Sequence, residues 1–206
     1  MKQIISTALL ILSIWSCAQE KPTNYRLVGG PCEGCEAIFE YGERNLTSID
    51  TLPDFNEKGP KIKISGTVYQ IDGKTPAAGV IIYVHHTNQD GYYPPAKDAQ
   101  GWGRRHGRIR GWMKTNQAGQ YEYYTLRPAP YPGRTDPMHI HYTILEPNGK
   151  YYWIHDVVFK GDPRLKDYDG SIARGGNGLV ELKPQGNLLV GNRDVILGKN
   201  VNDYER

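Results

Sequence analysis

From Lys61 onward, apolar and polar residues alternate in short runs separated by turn-forming residues. "KIKISGTVYQ" has the two-residue period of a strand with one buried face. "DGKTPAAG" then supplies a turn, and "VIIYVHHT" reads as a mostly apolar strand. "WMKTNQAGQYEYYTL" predicts two strands joined as a hairpin, with Gly119 at the positive-φ position of the turn. "MHIHYTILEP", "NGKYYWIHDVVF", "GLVELKP" and "NLLVGNRDVIL" continue the series. No segment after the leader sustains a helical period. Short strands with turns every eight to twelve residues, as here, predict an all-β fold, an antiparallel β-sandwich over residues 61–206. Residues 18–60 are polar and irregular, and are expected to form a tether and an N-terminal extension packed on the sandwich.

Residues 1–17 differ in kind. Lys2 precedes an apolar run from Ile4 to Trp15, followed by Ser16 and Cys17. The run is too short to span a bilayer and has the form of a secretory leader. The small residue before Cys17 suggests a lipobox, so the protein is expected to be exported and membrane-anchored through lipid on Cys17. Two further cysteines, Cys32 and Cys35, then form an isolated pair, which in an exported chain predicts a disulfide closing a tight loop. The chain of 206 residues suits one domain with a real core. Its formal charge of +3 calls for no nucleic-acid partner. With Tyr 15 against Phe 3 and Met 3, tyrosine must carry much of the interior.

Chemistry enters at "PYPGRTDPMHIHYTIL". Alternate residues of a strand share a face, so His139 and His141 project together and can offer two nitrogens to one metal ion. Tyr131 precedes them in a turn, and Tyr93 lies in another loop, "NQDGYY". A phenol is a poor ligand for zinc or magnesium because its pKa near 10 keeps it protonated. A hard, highly charged ion such as Fe(III) can displace that proton and bind phenolate. The glycine-rich stretch from Asp90 to Gly111 is too long for a plain connection. It carries Lys97, Arg104, Arg105, Arg108 and Arg110, which could attract an anionic ligand.

The order "DGYY", "TNQAGQYEYYTLRPAPYP", "HIH" and "GDP" resembles the intradiol ring-cleavage dioxygenases, non-haem Fe(III) enzymes that open catechol rings. The resemblance implies Tyr93, Tyr131, His139 and His141 as iron ligands, with Tyr92 the alternative to Tyr93. It implies a catechol-type substrate, O2 as co-substrate, and cleavage between the two hydroxylated carbons to a muconate-type diacid. The family places an arginine three residues before the first histidine, where this chain has Asp136; Arg134 or Arg110 is expected to take the catalytic role instead. His85 and His86 end an apolar strand, where at least one is expected to face a neighbour or solvent; His155 reads as a packed strand residue, His106 as a candidate substrate contact, and Asp162 as a turn former. A transthyretin-like binding module without catalytic activity shares the same strand pattern and is the competing expectation. The sequence sets no oligomeric state.

Overall fold

A computed structural model describes residues 24–166 and 168–205. The leader and Cys17 lie outside the described residues. The strands are β1 (Arg26–Leu27), β2 (Ile49–Thr51), β3 (Lys61–Tyr69), β4 (Ile81–His85), β5 (Arg110–Lys114), β6 (Gln120–Leu126), β7 (His139–Leu145), β8 (Lys150–Phe159), β9 (Leu179–Val180), β10 (Lys183–Gln185), β11 (Leu188–Asn192) and β12 (Val195–Ile196). One sheet runs β1-β8-β7-β4-β5 with β9 beside β8; the other runs β10-β11-β3-β6-β2 with β12 beside β3. The long neighbours pair antiparallel, whereas β1, β2, β9, β11 and β12 join in parallel, so both sheets are mixed.

The predicted alternation of β3 is realised: Ile62, Ile64 and Val68 are buried and the residues flanking them half-buried. They meet Ile82, Val84, Ile140, Tyr142 and Ile144 from the other sheet in one core. Tyrosines fill that core only because their hydroxyls find partners: Tyr123 and Tyr142 bond each other at 2.7 Å, and Tyr152 and Tyr204 both donate to Glu146.

The expected hairpin around Gly119 is half right. Gly119 has φ +70° and the turn is tight, but β5 pairs with β4 while β6 pairs with β3 in the opposite sheet. The turn carries the chain from one layer to the other. The N-terminal extension also does more than pack loosely. Its 3-10 helix, Cys35–Tyr41, lays Ala37 and Ile38 on Tyr83, Trp112 and Leu145, sealing part of the outer face of the β4–β7 sheet with a second small core. That explains why β4 is apolar on both faces. Cys32 and Cys35 form the expected disulfide, which ties the preceding loop to the first residue of this helix.

His86 is buried; Nδ1–H donates to the Thr87 carbonyl and Nε2 accepts from Thr125 Oγ1 at 2.7 Å. Burial pushes its pKa down to about 4 from 6.5. In the unfolded chain His86 binds a proton below pH 6.5 that the folded chain rejects until about pH 4. Stability is therefore fully present above the unfolded value and is lost as pH falls between the two, by roughly 3 kcal/mol. Urea midpoints of the metal-free protein should drop from about pH 7 to about pH 4.5, and His86→Gln should reduce that dependence while His85 and His106, whose pKa values burial also lowers, sustain the remainder.

Candidate metal centre

The outer face of the β4–β7–β8 sheet that the 3-10 helix leaves uncovered carries the predicted side chains. His139 and His141 project from β7 while Ile140 and Tyr142 between and after them are buried in the core. Tyr93 is brought in by a loop that Asn88 organises, its side-chain carbonyl accepting from the Asp90 and Tyr92 amides and its backbone carbonyl from Ala129. Tyr131 follows directly on that stitched segment. Tyr92 is 60% exposed and stays outside the cluster, so the alternative ligand is set aside.

The four donor atoms converge. Tyr93 Oη lies 2.6 Å from Tyr131 Oη and 2.9 Å from His141 Nε2. Tyr131 Oη lies 3.2 Å from His141 Nε2 and 3.0 Å from His139 Nε2. Ligands that each sit about 2 Å from one ion are separated by roughly 3 Å from their neighbours, so this set fits a single metal. The imidazoles are turned for that purpose. His139 Nδ1–H donates to the Pro137 carbonyl at 2.7 Å, and His141 Nδ1–H faces the Asp156 carboxylate at 3.2 Å. In the neutral imidazoles both bonds put the proton on Nδ1 and leave Nε2 bare and directed at the phenols, an arrangement of the kind that orients metal-bound histidines.

Asp156 reaches His141 because of an irregularity in pairing. Ile140 opposes Val157 and Tyr142 opposes Ile154, leaving His155 and Asp156 opposite one residue of β7. Asp162, expected as a turn former, is one, accepting from the Arg164 amide; it also accepts from the Met138 amide at 2.6 Å and so anchors the residue before His139.

Burial raises the pKa of both Tyr93 and Tyr131, so without a strongly polarising cation both remain phenols. Burial works against a charged His141, yet the adjoining Asp156 outweighs it and raises its pKa. His139 is lowered, by burial first and then by the neighbouring His141. Two phenols, two imidazoles and one carboxylate behind them suit a hard, high-valent ion such as Fe(III). Arg134 stands at the rim, its guanidinium 5.3 Å above the Tyr131 ring and 2.8 Å from Asp136, while Arg110 is turned away into an ion pair with Glu40. His106 reaches the cleft, as expected, and His85 does too.

Asp156 has no signature in the sequence, since a bulge rather than strict alternation presents it. Asp156→Asn, which keeps the shape but removes the charge behind His141, should weaken Fe(III) retention by roughly 10- to 100-fold. Competition with a chelator measures this, and unchanged affinity would remove Asp156 from the site.

A family model described as Dioxygenase matches residues 37–181. Catechol 1,2-dioxygenase 1 of Acinetobacter lwoffii is 30% identical over 158 residues, covering 69% of this chain and 48% of the relative. The chain spans about half the length of the curated relatives it matches. Among solved structures, the dioxygenase domain of a dioxygenase–carbohydrate-binding protein fusion from Streptomyces sp. SirexAA-E aligns with TM-score 0.55 at 22% identity, covering 85% of this chain and 97% of that one. Catechol 1,2-dioxygenase from Acinetobacter sp. ADP1 aligns with TM-score 0.58 at 18% identity, covering 79% and 61%. Together with the length of the family match, these likenesses make the chain a member of the intradiol ring-cleavage dioxygenase family.

Proposed function

We propose that the protein is an Fe(III)-dependent dioxygenase that opens a catechol-type ring between its two hydroxylated carbons, placing both atoms of O2 in a muconate-type diacid. The observation that carries this reading is the convergence of Tyr93, Tyr131, His139 and His141 on one point. Ferric iron held by these four side chains would supply a Lewis acid that makes a catechol ring reactive toward O2. The chain's own contributions are distinct. A phenolate oxygen of Tyr93 or Tyr131 can take a proton from the entering diol and leave as neutral phenol, which an imidazole in the same place could not do. Asp156 and the Pro137 carbonyl keep both Nε2 atoms facing the substrate side. Arg134, above the Tyr131 ring at the mouth, is the residue this reading assigns to charge developing on the substrate ring, and it would meet that charge on release from Asp136.

Export, with a lipid anchor on Cys17, completes the proposal; the Cys32–Cys35 disulfide accords with an oxidising compartment. Oxygen uptake by the iron-loaded protein over a panel of catechols is the test. The reading expects one O2 consumed per diol, with the ring lost. A colourless protein inert toward every diol would instead indicate a binding module built on the same sandwich.

A further inference from the structure

A second groove adjoins the tyrosine–histidine cluster and shares His141 and Asp156 with it. It runs between the Cys32–Cys35 loop and β8, encloses about 450 Å³, and has Trp153 and His155 along one side. It meets the larger cleft of about 890 Å³ that holds Tyr93, Tyr131 and His139 at shared residues, among them His85, His106 and His141. Spaces of roughly 300–1,000 Å³ suit ligands well beyond a single ring. A single catechol ring is too small to fill both spaces.

Its wall is aromatic and firmly held. The His106 ring lies flat on His85, with centroids 3.9 Å apart and planes within 3°, and His85 in turn stacks on His141 at 4.6 Å. Tyr83 Oη bonds His106 Nδ1 at 2.9 Å from one side. From the other, the disulfide loop presses on the ring so closely that a Cβ at Gly34, where φ is +85°, would sit 2.5 Å from His106 Nε2. Only glycine fits there. Trp153 has one face covered by the Arg174 guanidinium at 4.0 Å, which steadies it as a platform. The loop on one side of the groove precedes the family-matched residues 37–181, whereas His85, His106, His141 and Trp153 lie within them.

The charges select further. The groove is lined by two carboxylates, Glu33 and Asp156, and among the described residues by no lysine or arginine. The arginines nearest the mouth are engaged, Arg105 with Glu33 and Arg134 with Asp136. Glu33 is paired with Arg105 and Asp156 with His141, so an anionic substituent would find no free cation among the lining residues, whereas a flat, uncharged one would meet aromatic surface.

We propose that this groove is a specificity subsite that receives the substituent of the substrate, and that the preferred catechols carry an uncharged aromatic group rather than a carboxylate. The placement of the diol rests on the ring-cleaving reading; the groove does not.

Two measurements separate the two claims. Iron-loaded protein is given catechol, 4-phenylcatechol and 3,4-dihydroxybenzoate, and kcat/KM is taken from oxygen uptake. Metal-free protein is titrated calorimetrically with catechol and 4-phenylcatechol. The phenyl group should raise kcat/KM over catechol by about tenfold or more, and the carboxylate should lower it. The metal-free protein should bind 4-phenylcatechol more tightly than catechol by a similar factor. Trp153→Ala should remove most of that preference in both assays, and Cys32→Ser/Cys35→Ser, which frees the loop, should reduce it. Equal handling of catechol and 4-phenylcatechol by the wild-type protein, or preference for the carboxylate, overturns the proposal, as does a preference indifferent to Trp153. Failure of every diol to consume oxygen, with Trp153-dependent binding intact, would fell the ring-cleaving reading and leave the subsite standing.

Discussion

Tyr131→Phe protein should fold normally yet fail to retain ferric iron after dialysis against a chelator. The substitution removes one oxygen and little else. That oxygen contacts Tyr93 Oη at 2.6 Å, His139 Nε2 at 3.0 Å and His141 Nε2 at 3.2 Å. The ring keeps its edge-on packing against His139 and the Arg134 guanidinium above it. Loss of a mere orienting partner costs roughly 10- to 100-fold in metal affinity, so loss of a donor should exceed about 100-fold. Iron per chain, measured by elemental analysis beside an unfolding curve of the metal-free protein, checks both halves. Stoichiometric iron in the variant would mean that Tyr131 is not a ligand.

Gly66→Ala should cost at least about 3 kcal/mol of stability. Gly66 falls in the inward-facing set of β3, between Ile64 and Val68, where an apolar side chain would be expected. A Cβ there would collide with the backbone carbonyl of Arg193, its oxygen and carbon alike. That oxygen cannot retreat freely, because Tyr121 Oη donates to it at 2.6 Å and the Arg193 amide donates to the Ser65 carbonyl. The two closest atoms are backbone, so no rotamer change relieves the collision. For a chain of this size the melting temperature should fall by about 6–12 °C. A fall under about 2 °C would show that β11 and β12 can move off β3.

Much of this arrangement was legible in residue order. The period of "KIKISGTVYQ" marked the buried face of β3, and the spacing of His139 and His141 put both imidazoles on one face of β7. The motif resemblance supplied Tyr93 and Tyr131, which no periodicity could pair with histidines 8 to 48 residues away. What escaped was set by tertiary contacts. A tight turn at Gly119 says nothing about which sheet each flanking strand joins, and here the two strands part to different layers. Residues 35–41 lack a strand or long-helix period, so their cover over Tyr83 and Trp112 had no local signature. Asp156 is presented by a bulge, and the His85–His106 stack is held by a loop far upstream of both.

The proposed activity requires that the four side chains bind ferric iron through two phenolates. Visible absorption of the Fe(III)-loaded protein tests that most directly. A broad phenolate-to-iron charge-transfer band, giving a burgundy-red solution that is bleached in Tyr93→Phe/Tyr131→Phe, is the predicted result. A protein that binds no iron, or binds it stoichiometrically without colour, would contradict it.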